Sequence, residues 1–160
     1  MISLIERAES SPTAVILDKV ARALGVTLTS LFDQAAPEPA APAGPVSRAK
    51  DRTPWRDPAS GYVRCNISPV TVSQPMQLVE VHFPAGARVT FENGARGARV
   101  YQQIWVLAGR IDITIGRDRY HLLTGDCLAM DLDRPTMLHN PTRQKTRYAL
   151  VIASESIPKR

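Results

Sequence analysis

The sequence predicts a mainly β protein with a small α-helical segment at its N-terminus. Three observations indicate this fold class: an amphipathic helical pattern near the start, a Pro- and Ala-rich stretch after it, and short apolar segments separated by turn residues from residue 60 onward. Many short strands punctuated in this way are typical of an all-β barrel or sandwich.

The helical pattern begins at Ser11 and Pro12. A Ser hydroxyl can accept a hydrogen bond from a free amide of the first turn, and Pro suits the first helical position, where no N–H is needed. Gly25 can take the left-handed conformation that ends a helix, and a short second helix is predicted over residues 28–32. The apolar face of the first helix has three- and four-residue spacing and comprises Leu17, Val20 and Leu24.

The middle of the chain is predicted to be a linker over residues 34–60. Its prolines favour extended conformations, so it should act as a semi-stiff spacer. Trp55 is too bulky for a pure tether and is expected to dock on the following domain. The predicted organisation is therefore a helical segment over 1–33, this linker, a β domain over 61–154 and a tail over 155–160.

The β domain is predicted from nine short segments of alternating or apolar character. The segment from Ile111 to Ile115 alternates as a half-buried strand should. The predicted strands are Tyr62 to Ile67, Met76 to Phe83, Arg88 to Phe91, Val100 to Leu107, Arg110 to Ile115, Arg119 to Leu123, Cys127 to Asp131, Thr136 to His139 and Arg147 to Ala153.

Composition indicates a cytoplasmic protein that does not enter a membrane. The two cysteines, Cys65 and Cys127, have no metal-binding or disulfide pattern and are expected to be reduced and buried. No uncharged apolar run reaches the length of a membrane span. The net charge is +5, and residues 62–160 hold thirteen basic against eight acidic side chains. This excess is compatible with scattered solvated arginines or with an anionic ligand.

The N-terminal residues resemble part of a known DNA-binding domain. The strings S-L-I-E-R at 3–7, E-S-S-P-T at 9–13 and A-L-G-V-T-L at 23–28 resemble the second half of the helix-turn-helix of the XRE (phage-repressor-like) family. The resemblance implies DNA contacts by Ser3, Arg7 and Ser11, with Arg7 on a phosphate. Because it covers about half of that domain, we expect the reading frame to start upstream of Met1. A small helical adaptor is the alternative.

The β domain resembles the cupin fold, a double-stranded β-helix or jelly roll. The resemblance is carried by P-A-G at 84–86, I-W-V-L-A-G at 104–109, Gly125-Asp126 and P-T-M-L-H-N-P at 135–141. A cupin domain behind an XRE-type helix-turn-helix implies a transcription regulator whose cupin domain senses a ligand and dimerises.

The same resemblance indicates that the cupin metal site is absent. The family's metal-binding histidines and glutamate correspond to positions within 95–98, to Gln102 and to Thr136, and none of these positions holds His or Glu. Such residues have little affinity for first-row metals, so we expect no metal and no cofactor. By strand parity His139 should face away from the pocket that Thr136 lines, and His121 should face solvent.

A metal-free barrel can still bind a small molecule. An amide in an apolar strand needs hydrogen-bond partners, so Gln102 is predicted to face the barrel interior. The alternative is that Gln102 only satisfies a neighbouring backbone group. Arg88 could hold a carboxylate or phosphate. The predicted ligand-binding residues are Arg88, Gln102, Ile104, Thr136 and Leu138.

The sequence therefore predicts a dimeric, DNA-binding transcription regulator with a ligand-sensing cupin domain. Its expected partners are an operator DNA, a small-molecule effector and a second copy of the chain. One alternative is a cupin module that binds or dimerises without DNA. A cupin isomerase or dioxygenase is the other alternative, but no catalytic residues are predicted and we expect no enzymatic activity.

Overall fold

A computed structural model describes residues 11–24, 31, 44–69, 75–93 and 98–156 of the chain. Two antiparallel sheets face each other, which confirms the mainly β fold class. One sheet has six strands in the order β1-β2-β3-β10-β5-β8, and the other has four in the order β4-β9-β6-β7. The strands are β1 Trp55–Arg56, β2 Val63–Asn66, β3 Met76–Phe83, β4 Arg88–Phe91, β5 Ala98–Ala108, β6 Arg110–Ile115, β7 Asp118–Leu123, β8 Cys127–Asp131, β9 Thr136–His139 and β10 Thr146–Ser156.

The hydrophobic core lies between the inner faces of the two sheets. Along β5 the side chains of Val100, Gln102, Ile104 and Val106 are buried, whereas Tyr101 and its alternating neighbours are exposed. The predicted inward face of this strand is confirmed. The two-residue period of a strand therefore separates a core face from an outer face along this strand.

An aromatic row closes one side of the core. Trp55 packs edge-on against Tyr62 with a centroid distance of 5.8 Å, and Tyr62 and Tyr148 both contact Phe83. The expected docking of Trp55 is confirmed. The segment from residue 44 to 60 is folded, with a 3₁₀-helix at Ala49–Asp51 followed by β1.

Asn140 holds two loops together from a fully buried position. Its side-chain nitrogen donates to the carbonyl oxygens of Phe83, Pro84 and Gln144, and its oxygen accepts from the amide and hydroxyl of Thr142. The turn between β3 and β4 is thereby joined to the loop between β9 and β10.

One helix, α1 at Ala14–Ala23, lies against the barrel next to β4. Its N-cap is Thr13, whose hydroxyl accepts a hydrogen bond from the Ile16 amide at 3.4 Å. The prediction that Ser11 caps this helix is wrong: Ser11 is exposed two residues earlier, and the extended backbone of Thr13 gives it the geometry of a cap.

The face that α1 buries differs from its predicted apolar face. The buried residues are Ala14, Asp18 and Ala21, while Leu24 is 64% exposed. Alanine side chains are short, so the helix can approach the barrel closely. Its backbone is attached at the first turn, where the Ala14 amide donates to Asp57 Oδ1 at 2.9 Å.

Both cysteines lie within the described residues. Neither cysteine forms a disulfide, but Cys65 is only half-buried and Cys127 is exposed, so the expectation that both are buried is wrong. Both lie on the outer face of their strands, where the side-chain period directs them away from the core. No helix in the described ranges is long and apolar enough to cross a membrane.

Candidate functional site

A cavity of about 60 Å³ lies inside the barrel beside α1. This volume holds a few water molecules and is well below the roughly 150 Å³ that accommodates benzene. Its apolar wall consists of Val81, Phe83, Phe91, Val100, Met130, Leu132, Leu138, Leu150 and Ile152. Its polar lining consists of Asp18, Tyr62, Arg64, Asn93, Gln102, Thr136 and Tyr148.

Arg64 brings a buried positive charge to this cavity. It lies on β2 between Trp55 of β1 and Val81 of β3, and its side chain faces the interior. A buried guanidinium needs an anion or hydrogen-bond acceptors around it. The cavity therefore contains a cation that can bind an acidic group.

Two buried tyrosines line the same cavity as Arg64. Burial raises the pKa of Tyr62 to about 12, and the Arg64 charge opposes this rise. Burial likewise raises the pKa of Tyr148 far above its usual value, again against the effect of Arg64. Both hydroxyls thus stay protonated at neutral pH and can donate hydrogen bonds to an acceptor in the cavity.

Two amides and a hydroxyl also border the cavity. Asn93 Nδ2 donates to Thr136 Oγ1 at 3.0 Å, and the Thr136 hydroxyl donates to the Arg134 carbonyl oxygen at 3.2 Å. Asn93 has a positive φ of 28°, which Asn tolerates better than most residues and which follows the end of β4. The amide of Gln102 on β5 borders the same space.

Asp18 reaches the cavity from α1 and is only 4% exposed. Its carboxylate lies 3.2 Å from Arg22 Nε, one turn further along the helix. Arg22 and Lys19 also form ion pairs with Glu92 of the barrel, each at 3.3 Å. Their hydrogen bonds lower the pKa of Glu92, that from Lys19 most strongly. Acidic and basic side chains thus attach α1 to the rim of the cavity.

The structure brings some of the predicted ligand-binding residues together and separates others. Gln102, Thr136 and Leu138 line the cavity. Ile104 is fully buried in the core but does not border the cavity, and Arg88 is exposed in a separate open cleft beside α1. The role of all five in binding stays a prediction.

The predicted DNA-contacting residues are placed less completely. Ser3 and Arg7 lie outside the described residues, and Ser11 is exposed before the helix. Sequence reasoning missed Arg64, Asp18 and Asn93 as cavity residues. Arg64 offered one signal, a charged residue inside a predicted strand.

The cavity residues do not suit a first-row metal ion. Gln102 and Thr136 line the cavity where the cupin resemblance would require Glu and His, and Arg64 adds a positive charge to the same space. Within the described residues, no three His, Cys, Asp or Glu side chains come together as a metal site. His139 lies on the outer face of β9, as parity predicts, and His121 is exposed beside Asp112.

Comparison with solved structures shows the cupin fold. An HTH_3 family transcriptional regulator from Vibrio cholerae is similar with a TM-score of 0.72 and 21% identity, over 99% of this chain and 80% of that one. The cupin domain of an XRE family transcriptional regulator from Enterobacter cloacae has a TM-score of 0.52 and 15% identity, over 61% and 98% of the two chains.

The Cnp3 cupin domain of Schizosaccharomyces pombe is also similar, with a TM-score of 0.54 and 12% identity, over 68% of this chain and 72% of that chain. No family model and no curated protein matches the sequence. At these identities the likeness establishes the fold, and it is the fold that the sequence predicted.

Proposed function

We propose that this protein is a DNA-binding transcription regulator whose metal-free cupin barrel binds a small anionic molecule. The single observation that carries the proposal is the cavity that contains Arg64 and is bordered by a helix of the N-terminal segment. Ligand binding inside the barrel can then alter the position of residues that resemble a helix-turn-helix. The similarity to solved regulators of the same architecture supports this proposal.

The lining favours binding over catalysis. Arg64, Tyr62, Tyr148 and Gln102 all offer hydrogen-bond donors, and Asp18 is the one carboxylate among the described lining residues. The described lining holds no second carboxylate or histidine that could pair with Asp18 for proton transfer. We therefore propose that the protein acts by binding and is not an enzyme.

Dimerisation is proposed through the outer face of the six-stranded sheet. Trp105 is 52% exposed there, and Met76, Leu78 and Tyr101 are also exposed. The strand registers place these side chains on adjacent rows of β3, β10 and β5. Exposed aromatic and aliphatic side chains that cluster on one face of a sheet are typical of an interface. A second copy of the chain fits it because a two-fold axis pairs the patch with itself.

Sedimentation of a Trp105→Glu variant tests the dimer. The matched control is Leu123→Glu, because Leu123 is 57% exposed on β7 of the other sheet. We expect wild type and Leu123→Glu to sediment as dimers and Trp105→Glu as a folded monomer that still melts cooperatively, at a temperature lowered by the loss of association. Equal sedimentation of both variants as dimers would exclude this face.

A gel-shift assay of the protein expressed from its full reading frame, with DNA from the promoter region of its own gene, tests DNA binding. We expect a salt-sensitive shift that Arg7→Ala weakens, because a lost phosphate contact lowers affinity for all sequences. Arg119→Ala is the control, since Arg119 is exposed on β7 of the barrel. A shift that both variants weaken equally would indicate non-specific attraction, and no shift at any salt would favour a cupin module that does not bind DNA.

A further inference from the structure

We propose that Asp18 occupies the anion position of the cavity and that a small organic carboxylate displaces it, which releases α1 from the barrel. The inference rests on the proposed ligand-binding function and names both the ligand class and the way binding is transmitted. Asp18 would then act as an internal competitor of the ligand, carried by the helical segment itself.

The cavity lining holds one positive and one negative side chain within the described residues. Among the described lining residues, Asp18 is the one carboxylate and Arg64 the one guanidinium, and both are buried. Both also act electrostatically on the Tyr62 hydroxyl, as does buried Asp57, so these charges share one small region. Asp57 is already engaged by the Ala14 amide and by Ser60. Asp18 lines the cavity and Asp57 does not, so Asp18 is the carboxylate whose position a ligand can take.

The cavity is too small for an organic ligand unless part of its wall moves. A cavity of about 60 Å³ does not admit an organic ligand of ordinary size without movement of its wall. Most of the wall consists of strands in two hydrogen-bonded sheets. Asp18 instead belongs to α1, which forms no sheet hydrogen bonds and is attached through two buried alanines, the Ala14 amide and partly exposed ion pairs with Glu92. Exposed ion pairs contribute little, so α1 is the part of the wall that can move.

A carboxylate ligand would carry the same charge as Asp18 and would compete with it for Arg64. A ligand carboxylate that entered while Asp18 stayed in place would put two anions beside Arg64, and like charges at short range repel each other. Once Asp18 leaves, Arg64 would remain buried without that carboxylate. A planar carboxylate can restore the balance, because guanidinium binds it through two parallel hydrogen bonds and the tyrosine hydroxyls can donate to it.

Fluorescence of a Trp105→Phe protein reports on cavity occupancy. The chain has two tryptophans, so this variant leaves Trp55, which packs on Tyr62 at the cavity wall. Propionate is the probe, and propionamide is the matched uncharged control of the same shape. We expect a saturable change with propionate and none with propionamide. Trypsin cleavage after Lys19, located by mass spectrometry, reports release of α1 and should accelerate with propionate.

Asp18→Asn, introduced into the Trp105→Phe protein, tests whether Asp18 competes with the ligand for the anion position. It keeps the shape of the side chain and removes its charge, so we expect propionate to bind roughly tenfold more tightly, within the usual range of coupling between sites. Cleavage after Lys19 should be fast even without propionate. Asp133→Asn is the control, because Asp133 is exposed and outside the cavity.

The outcomes distinguish this inference from the proposed ligand-binding function. Propionate binding that Asp18→Asn leaves unchanged would overturn the displacement and leave the cavity as a ligand site. Equal binding of propionate and propionamide would overturn the carboxylate class. Absence of binding by both the parent and the Asp18→Asn protein, with intact melting curves, would overturn the anion site altogether.

Discussion

Two parts of the barrel interior differ in what fills them. Ile104, Val106, Ile111 and Ile113 are fully buried, and none of them borders the cavity. A few ångströms away the interior is hollow and lined with Arg64, amides and hydroxyls. Gln102 lines the cavity, whereas Ile104, two residues further along the same face of β5, belongs to the filled core. One strand thus contributes to the close-packed core at one position and lines the cavity at the next inward position.

The largest expected effect comes from the filled part. Ile113→Ala should lower the free energy of unfolding by about 2–5 kcal/mol, because it removes buried methyl groups and leaves a void. Urea denaturation measures this loss. Propionate affinity of the folded variant should not change. A loss in stability below about 1 kcal/mol would mean that this part of the interior is loosely packed.

Asn140 is a fully buried polar residue that does not line the cavity. Its substitution tests whether a buried polar residue outside the cavity affects ligand binding. Its hydrogen-bonding groups are engaged within the protein, so Asn140→Ala should cost about 2–3 kcal/mol by leaving carbonyl oxygens without a donor. Thermal melting with and without propionate should show the lost stability and an unchanged ligand response. An altered ligand response would connect this loop junction to the cavity.

Gln102→Leu should have a smaller effect on stability and a large effect on binding. Leu has a similar volume, and replacing a cavity amide by an apolar group changes the free energy of unfolding by less than about 1 kcal/mol when no partner is left unsatisfied. Calorimetric titration should show weakened propionate binding. A destabilisation of about 2 kcal/mol with unchanged binding would show instead that Gln102 serves a neighbouring backbone group.

The smallest expected effect is the pH dependence of the α1 attachment. Hydrogen bonds from Lys19 and Arg22 lower the pKa of Glu92 below its ordinary value of 4.5. A carboxyl with a lowered pKa stabilises the attached state above the ordinary value, and this contribution is lost as the pH falls through the lowered pKa. Amide exchange of α1 should be faster in Glu92→Gln than in wild type at pH 7, and the two rates should converge in acid. A ratio that does not change with pH would mean that Glu92 does not help to attach α1.

Sequence patterns predicted the sheets better than the site. Five strands, among them Met76–Phe83 and Thr136–His139, have the predicted bounds, because alternation reports burial directly. In β2 the alternation pattern predicts the wrong inward face, because apolar Val63 and Cys65 face outward and Arg64 faces inward. A charged residue inside a predicted strand is a signal, but the groups that surround it in the barrel come from distant parts of the chain and are not encoded locally.

The helix illustrates the same limit. Its pattern correctly predicts an amphipathic segment, yet the residues buried against the barrel are Ala14, Asp18 and Ala21. The partner of a helix face is set by tertiary contacts, here with Asp57 and Glu92, which local periodicity does not encode. The cap at Thr13 in place of Ser11 is a smaller error of the same kind, since both residues can cap a helix.

Calorimetric titration of propionate into wild type and Arg64→Gln tests the central claim most directly. The claim is that the hollow part of the interior binds an anion through the Arg64 guanidinium. We expect heat of binding with wild type and none with Arg64→Gln. Loss of the buried guanidinium should lower the melting temperature of the variant, so both proteins are titrated well below their melting transitions. Equal binding to both would contradict the account, because the anion would then be held somewhere other than this cavity.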